Sequence, residues 1–256
     1  MRKVDLNADL GESFGAYRIG RDEEVLAEVT SANVACGFHA GDPVVLYRTL
    51  ALAKERGVAV GAHPGYPDLM GFGRREMKLG PDEAYAYVLY QLGAFAAFAK
   101  VHGLEVQHVK AHGALYNTAG KDMALALAIC RAVRDFDPGI ILLGLSGSKL
   151  MAAAGELGLT FASEIFADRA YEEDGSLVAR NTPGAMIEDE QEAIRRVVRM
   201  VREGRVAAIT GRDIQVKADS VCVHGDGPKA LDFTRRIRQA LAAEGVELAP
   251  LCAFIR

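Results

Sequence analysis

The chain has 256 residues, of which 50% are apolar and 25% are charged, and its formal net charge is −4. This length suits one α/β barrel, and the apolar fraction is enough for a large core without disulfides. A mildly acidic chain with no basic tract and no tryptophan argues against a nucleic-acid-binding protein, because such proteins carry basic patches or aromatic stacking platforms.

The amino-terminal residues and the cysteines predict a cytoplasmic protein. The first twelve residues carry several acidic side chains and no apolar segment, so they do not resemble a secretory signal. Residues 84–101 are the most apolar segment, but they include three tyrosines and a lysine and therefore predict a buried helix rather than a membrane span. The four cysteines form no CxxC pair and are interpreted as reduced thiols.

Short β-branched segments alternate with longer segments rich in alanine and leucine along the chain. The predicted strands cover residues 3–6, 30–36, 58–62, 106–110, 139–143, 159–162 and 220–223. The predicted helices cover residues 43–56, 81–101, 121–136, 148–157, 188–203 and 228–244. Several helices begin with proline, as at Pro81, or end on glycine, as at Gly57.

This alternation of strands and helices predicts a parallel sheet with right-handed crossovers. Seven or eight such units over this length predict a closed or nearly closed β/α barrel, with residues 1–256 forming a single domain. An open doubly wound sheet is the alternative. The dinucleotide-binding fingerprint of that fold is missing after the first predicted strand, at residues 7–12.

Polar and ionisable side chains concentrate at the ends of the predicted strands. They include Asp5, Asn7, Asp9 and Glu12, then Asn33, His39 and His63, then His108, Lys110 and His112, and finally Glu164, Arg169 and His224. Five of the six histidines belong to this group, and His102, at the end of a predicted helix, is the exception. Barrel enzymes build their active sites at the carboxyl ends of their strands, so these residues predict an active site there.

Two chemistries fit these residue types well, and both predict hydrolysis at a carbonyl group. The first is a zinc-type site with an open water position and the ligands Asp9, His39, His63 and His224. In the second, Asp9 or Glu164 acts as a general base toward water while Lys110 and the histidines stabilise an oxyanion. Nucleophilic catalysis fits poorly because there is no G-x-S-x-G motif, and residues 144–149 do not have the spacing of a phosphate-binding P-loop.

Several of the strand-end segments resemble the signature of the LamB/YcsF family. They are residues 5–12, 31–42, 61–68 with 71–75, 109–117, 164–171 and 223–226. These segments follow the family's order from one end of the chain to the other. Ala111 and Ala179 stand where the family usually has proline, and they affect loop stiffness rather than reactive groups.

The resemblance implies a seven-stranded parallel β/α barrel of the glycoside hydrolase/deacetylase type. It also implies a part in the ATP-dependent opening of 5-oxoproline (pyroglutamate) to L-glutamate, together with two further subunits. ATP is then a co-substrate of the complex, and a divalent metal is left open. The alternatives are a metal-dependent deacetylase or carbohydrate hydrolase on the same barrel type, and a non-catalytic subunit that only binds 5-oxoproline or a kinase-like partner.

The strand-end positions and the resemblance together predict the roles of individual residues. The predicted catalytic residues are Asp9, Lys110, His112 and Glu164. The predicted substrate-binding residues are Asn7, Asn33, His39, His63, Arg74, Arg169 and His224. Asp9 is the preferred base with Glu164 as the alternative, and Arg74 or Arg169 pairs with the substrate carboxylate, because a guanidinium binds carboxylates in a bidentate manner.

Overall fold

The computed structural model describes residues 2–223 and 230–255. In chain order its strands are β1 (Arg2–Leu10), β2 (Ser31–Ala35), β3 (Ala59–His63), β4 (Val106–Val109), β5 (Ile141–Leu145), β6 (Phe161–Phe166), β7 (Arg205–Ala207), β8 (Asp213–Gln215), β9 (Ser220–Val223) and β10 (Val246–Leu248). Its helices are α1 (Asp22–Leu26), α2 (Pro43–Arg56), α3 (Pro81–Val101), α4 (Gly113–Ala119), α5 (Met123–Phe136), α6 (Lys149–Glu156), α7 (Glu190–Glu203) and α8 (Ala230–Ala243).

Seven of the described strands close into a parallel barrel. Strands β1 to β6 pair in chain order, β9 pairs with β6, and β9 also pairs with β1 to complete the ring. Strand β10 adds to the first residues of β1, before the segment of β1 that pairs with β9. Strands β7 and β8 form a separate antiparallel pair. The predicted seven-stranded parallel barrel is confirmed.

Capping residues, prolines and glycines in the sequence mark where helices begin and end. The Asp42 carboxylate caps α2 by accepting hydrogen bonds from the backbone N–H groups of Val44 and Val45, and Pro43 occupies the first helical position. Gly57 ends α2 in the left-handed region, at a φ of 67°. The predicted bounds of α2 and α3 match the structure. No helix among the described residues combines the length and apolar character that crossing a membrane requires.

The structure also differs from the predicted elements. Strand β1 continues to Leu10 and β6 to Phe166, so both extend past their predicted ends at residues 6 and 162. No sequence pattern indicated α1, α4, β10 or the β7–β8 pair, all of which are seven residues or shorter. Elements this short carry too few periodic positions for a hydrophobic pattern to be recognised.

The barrel interior is polar, while the outer face of the sheet is apolar. On β1, Leu6 and Ala8 are fully buried in the apolar core, whereas the alternate residues Asp5 and Asn7 are fully buried among polar groups. Successive side chains of a strand point to opposite faces, so Asp5, Asn7 and Asp9 all face into the barrel. The extended strand therefore delivers three polar side chains to one interior column.

Asp5 lies deep in this interior and accepts hydrogen bonds from the hydroxyls of Thr30, Ser31 and Ser220. Burial raises the pKa of its carboxyl from 3.8 to about 6, although these hydroxyls oppose the rise, and the charge of Glu164 adds to it. The folded state therefore binds a proton that the unfolded chain has released. This group contributes stability below its unfolded pKa and loses that stability as the pH rises through about 6.

We expect the wild type to lose about 2 kcal/mol more unfolding free energy than Asp5→Asn between pH 4.5 and pH 7, because asparagine has no proton to release. Urea unfolding of both proteins at the two pH values measures this difference. An identical pH dependence in the two proteins would show that Asp5 is already ionised in the folded protein at pH 4.5.

Candidate active site

Lys110 forms the centre of the candidate site, at the carboxyl end of β4. Its Nζ lies 2.9 Å from Asp9 Oδ1 and 2.9 Å from Glu164 Oε1. It also lies 3.3 Å from Asn7 Oδ1 and 3.2 Å from Cys222 Sγ. Three neighbouring parts of the barrel, β1, β6 and β9, therefore converge on one ammonium group.

Burial alone lowers the pKa of the Lys110 ammonium, but the charges of Asp9 and Glu164 outweigh it and raise that pKa well above its ordinary value. The lysine is therefore a fixed cation. The two carboxylates differ in exposure: the side chain of Asp9 is 15% exposed, whereas that of Glu164 is 0% exposed. Asp9 faces the cavity, and Glu164 lies beneath the lysine.

A hydrogen-bonded layer of amides below the lysine holds these groups in place. Asn33 Nδ2 donates to Asp9 Oδ1 at 2.8 Å and to Asn7 Oδ1 at 2.6 Å. Asn7 Nδ2 donates to Glu164 Oε1 at 3.1 Å. His108 Nε2 lies 2.6 Å from Asn33 Oδ1, so the imidazole supports the layer from below. The amides thus fix the separation of the two carboxylates.

Three histidines and one glutamate meet beside Asp9. One ligand-type atom each of Glu12, His39, His63 and His112 lies within 4.8 Å of all the others, and all four residues are buried. The His39 and His112 rings stack with centroids 3.7 Å apart, and His63 lies edge-on to both. Burial, with the charge of His63 in second place, lowers the pKa of His112 to about 3, so its imidazole is neutral at neutral pH.

Hydrogen bonds to backbone carbonyls fix the tautomers of two of these histidines. His63 Nδ1 lies 2.7 Å from the Lys110 carbonyl oxygen, and His112 Nε2 lies 2.8 Å from that of Phe72. A carbonyl oxygen can only accept, so each of these nitrogens carries a proton. The other two nitrogens, His63 Nε2 and His112 Nδ1, face each other at 2.9 Å.

Glycines allow the close packing of these rings. A Cβ atom at Gly65 would lie 2.6 Å from His39 Nδ1, and one at Gly73, where φ is +62°, would lie 2.6 Å from His39 Cβ. A Cβ atom at Gly61 on β3 would lie 2.3 Å from His108 Nε2 on β4. The glycines beside the predicted strand-end residues therefore serve close packing here as well as turning the chain.

Gly61→Ala is expected to destabilise the protein by about 1–3 kcal/mol, because the added methyl group must displace the His108 ring that supports Asn33. The matched control is Gly93→Ala in α3, where an added Cβ meets nothing within 4 Å. That control should stabilise the helix by roughly 0.5–1 kcal/mol. Denaturant unfolding of both variants tests this, and equal effects would contradict the close approach of β3 to His108.

A cavity of about 260 Å³ opens above Asp9 and Lys110. It is lined by, among others, Glu12, His63, Arg74, His112, Tyr116, Phe166, Arg169 and Arg180. It lies below the roughly 300–1,000 Å³ of sites for drug-sized ligands, so it suits a ligand of few atoms. A wider cavity of about 710 Å³ shares Tyr116, Asn117 and Arg169 with it and extends outward to Lys121 and Lys149.

The upper wall of the smaller cavity is cationic. Arg169 is buried, and its Nη2 donates to the Val178 carbonyl oxygen at 2.7 Å. Burial, together with the charges of Arg180 and Arg74, lowers the pKa of this guanidinium to about 10, so all three guanidinium groups lie close enough to interact. The side chain of Arg74 lies over the Phe72 ring at 4.9 Å. This wall favours an anionic ligand.

The structure brings most of the predicted site residues to one place. Asp9, Lys110, His63, His112, Arg74 and Arg169 line the cavity, and Glu164, Asn7 and Asn33 lie directly beneath it. His39 belongs to the histidine cluster. His224 lies outside the described residues. His108, which the sequence grouped with the rim histidines, instead lies below Lys110 in the barrel interior.

Some residues of the site received a different role from the sequence, or none. The cluster around His39 and His63 is completed by Glu12, which received no role, and by His112, which was predicted as catalytic and not as a metal ligand; the predicted metal ligands at these two places were Asp9 and His224. Asp9 lies next to the cluster, with its Oδ2 atom 3.4 Å from His63 Nε2. Tyr116 and Arg180 line the cavity through α4 and the loop after β6. The tyrosine lies in a segment that resembled the family, which was the one signal available for it.

The fold and the site define a parallel β/α barrel protein with an acid–lysine pair and a histidine cluster at the carboxyl ends of its strands. The LamB/YcsF family model matches residues 4–256, and the chain belongs to this family. This confirms the resemblance predicted from the strand-end segments.

Named relatives cover nearly the whole chain. It is 59% identical over 251 residues to the 5-oxoprolinase A subunit of Clostridium beijerinckii, covering 98% of both chains. It is 58% identical over 253 residues to the protein of the same name from Pyrococcus abyssi, covering 99% of both. Among solved structures, the lactam utilization protein from Thermus thermophilus is 51% identical, with a TM-score of 0.91 over 96% of this chain and 99% of that one.

Proposed function

We propose that this chain is one subunit of an ATP-dependent 5-oxoprolinase, which opens the lactam of 5-oxoproline to give L-glutamate. The observation that carries the proposal is the full-length similarity, at 58–59% identity, to relatives named as the A subunit of 5-oxoprolinase. The small cavity with a cationic wall supports it, because 5-oxoproline is a small molecule with one carboxylate.

A five-membered lactam is an unreactive amide, and ATP supplies the activation that it needs. Transfer of the γ-phosphoryl group of ATP to the amide oxygen releases ADP and makes the amide carbon more electrophilic. The phosphorylated oxygen becomes the leaving group of the last step. One water then adds to the amide carbon. The C–N bond breaks to give an acyl phosphate and a free amine, which takes up a proton. A second water releases inorganic phosphate and leaves L-glutamate.

Asp9 is the base that accepts the proton of the attacking water. Its side chain reaches the cavity, and its Oδ1 atom is anchored by Lys110 and Asn33, so the carboxylate is held in one orientation. Glu164 is fully buried and acts as a positioning residue for Lys110. This arrangement supports Asp9 over Glu164 as the base, since water must reach the base for proton transfer.

Lys110 stabilises the negative charge that develops on the water-derived oxygen of the tetrahedral adduct at the lactam carbon, because the original amide oxygen carries the phosphoryl group at that stage. Its ammonium is a preorganised cation in a site shielded from solvent, where such a charge acts strongly. His112 Nε2 donates to the Phe72 carbonyl oxygen, and His112 Nδ1 faces His63 Nε2 at 2.9 Å, so both ring nitrogens are directed at other protein groups. It therefore acts through the histidine cluster, and the oxyanion stabilisation that was predicted for Lys110 and the histidines is assigned to Lys110.

We assign the activating phosphoryl transfer to partner subunits, two in number as the family resemblance implies. The relatives are each named as one lettered subunit, which implies an assembly with others. The wider cavity supports this division of labour, because it gives a route from the surface to the site past Lys121 and Lys149.

Arg74→Ala is expected to raise the KM for 5-oxoproline by about 10–150-fold with a smaller effect on kcat, because a hydrogen bond to a charged group contributes about 1.5–3 kcal/mol. Arg74 lines the cavity, and its exposed position lets it reach a substrate carboxylate. Steady-state kinetics of the reconstituted complex measure the change. Arg134→Ala, on the outside of α5, is the charge-matched control, and an equal KM in both variants would exclude Arg74 from substrate binding.

The test of the proposed function is 5-oxoproline-dependent ATP hydrolysis by the chain alone and by the complex with its co-purified partners. We expect ADP formation from the complex only. ATP-dependent turnover by the isolated chain would overturn the multi-subunit assignment. Release of acetate from N-acetylated sugars without ATP, and no response to 5-oxoproline, would instead support the metal-dependent deacetylase alternative.

A further inference from the structure

We propose that Glu12, His39, His63 and His112 form a binding site for one divalent transition-metal ion of the zinc type. The four potential ligand atoms lie within 4.8 Å of one another, and the four residues come from loops after β1, β2 and β4 and from the end of β3. The directions of the lone pairs on these groups distinguish a metal site from a simple cluster of polar side chains.

In the neutral tautomers of His63 and His112, the two nitrogens that face each other carry no proton. The carbonyl oxygens of Lys110 and Phe72 place the protons of His63 and His112 on the outer nitrogens. The inner nitrogens, His63 Nε2 and His112 Nδ1, then present two lone pairs to each other at 2.9 Å. Two acceptors at this distance repel unless a cation lies between or beside them. Either a proton or a metal ion supplies that positive charge.

His39 discriminates between these two cations. Its side chain is 0% exposed, and neither of its ring nitrogens has a hydrogen-bond partner within residues 2–223 and 230–255. A buried polar group without a partner costs about 1–3 kcal/mol, so such groups call for an explanation. A proton shared by His63 and His112 leaves His39 unsatisfied, whereas a metal ion in the cluster binds His39 as a further ligand.

The spacing of the donor atoms is close to that of a coordination sphere. Ligands bound at about 2.0–2.2 Å in a tetrahedron lie roughly 3.3–3.6 Å from one another. Glu12 Oε1 lies 3.7 Å from His39 Nε2 and 3.8 Å from His112 Nδ1, while the two inner nitrogens are 2.9 Å apart. To reach tetrahedral spacing, the two inner nitrogens must separate by about 0.4 Å, and the widest pair of the cluster, at up to 4.8 Å, must close by about 1 Å. The donor set of three imidazoles and one carboxylate favours zinc and its transition-metal neighbours over magnesium or calcium.

The groups behind the ligands match those that usually support metal-binding histidines. Such histidines donate their second N–H to a carbonyl or a carboxylate, which fixes the ring and its tautomer, and His63 and His112 both do so here. Gly65 and Gly73 pack directly against the His39 ring and its Cβ atom, which restricts its rotation. The cluster is therefore preorganised in the way that a metal site requires.

The catalytic role of the ion rests on the proposed function. The binding of the ion to the four ligands does not. Asp9 Oδ2 lies 3.4 Å from His63 Nε2, so the ion borders the base and the cavity. A divalent cation there polarises a bound oxygen and lowers the pKa of water. Metal binding is tested on the isolated chain, so its outcome is independent of lactam turnover.

The experiment removes metal from the purified chain with a chelator and titrates it with Zn²⁺ by calorimetry and with Co²⁺ by visible absorption. We expect one equivalent of Zn²⁺ per chain and the absorption bands of low-symmetry, four- or five-coordinate Co²⁺. His39→Ala and Glu12→Gln should each weaken binding by at least ~100-fold, since even outer-shell changes at metal sites cost 10–100-fold. His102→Ala, at the end of α3 and outside the cluster, should bind like the wild type.

Zn²⁺ affinity equal in the wild type, His39→Ala and Glu12→Gln, or no saturable binding by the wild type, would overturn the proposal. Circular dichroism establishes that the variants are folded. If the variants do not fold, nitrogen NMR of the wild type alone still tests the proposal. Nitrogen NMR of the imidazoles should show Zn²⁺-dependent shifts of His63 Nε2 and His112 Nδ1, whereas a shared proton that persists with Zn²⁺ present would contradict a metal site.

Discussion

Asp9→Asn is expected to lower glutamate formation by the reconstituted complex by about 10²–10⁴-fold, the range found when a general base is removed. Asparagine keeps the oxygen that Lys110 and Asn33 contact but has no basic site for the proton of water. The fold should be retained, because the amide can still accept both hydrogen bonds. The rate of L-glutamate release at saturating 5-oxoproline and ATP measures the effect.

The matched control for this variant is Asp82→Asn, whose side chain is fully exposed at the start of α3. It should leave turnover unchanged. If Asp9→Asn retained wild-type turnover while Glu164→Gln lost it, the roles of the two carboxylates would be reversed. If neither variant lost activity, the acid–lysine pair would not be the hydrolytic site.

Lys110→Met is expected to have the largest combined effect, on both stability and turnover. The substitution keeps the length of the side chain but leaves Asp9 and Glu164 facing each other without the cation that lies 2.9 Å from each. Removing one partner of a buried ion pair costs about 3–5 kcal/mol. Loss of the oxyanion-stabilising charge should also lower turnover by about 10²–10³-fold.

Urea unfolding and steady-state turnover of Lys110→Met measure the two effects separately. Lys78→Met, which removes a lysine from the loop before α3, is the control and should change stability by no more than about 0.5 kcal/mol. A Lys110→Met protein as stable as this control would contradict the buried ion pairs. A Lys110→Met protein that is stable but inactive would support the catalytic role of Lys110 and contradict its role in stability.

The barrel could be predicted from the sequence because its signals are local. The alternation of β-branched and amphipathic segments indicated a parallel barrel of seven or eight units, the family resemblance implied seven strands, and Pro43 and Gly57 marked the ends of α2. The shared inward face of Asp5, Asn7 and Asp9 was not predicted, because the first strand was predicted to end at residue 6; the three residues recur every second position along β1, which continues to Leu10. His108 was likewise predicted with the rim histidines, but it precedes Lys110 by two residues on the same face and lies one layer below it.

The composition of the histidine cluster could not be predicted, because it depends on loops whose paths the sequence does not determine. Glu12 lies beyond the end of β1, and His112 follows β4 at the start of α4. The stacking of His39 on His112 and the packing of His39 against Gly65 and Gly73 are tertiary contacts between separate loops. The facing nitrogens of His63 and His112 likewise follow from carbonyl groups whose positions are tertiary.

The most direct test of the proposed function follows the lactam carbon itself. The partner subunits are supplied with ATP and 5-oxoproline labelled with ¹³C at the lactam carbonyl, with and without this chain, and ¹³C NMR records the products. We expect the lactam signal to be replaced by the side-chain carboxylate signal of L-glutamate, matched by ADP, only when the chain is present. Formation of labelled glutamate at the same rate without the chain would contradict the assignment of lactam opening to this barrel.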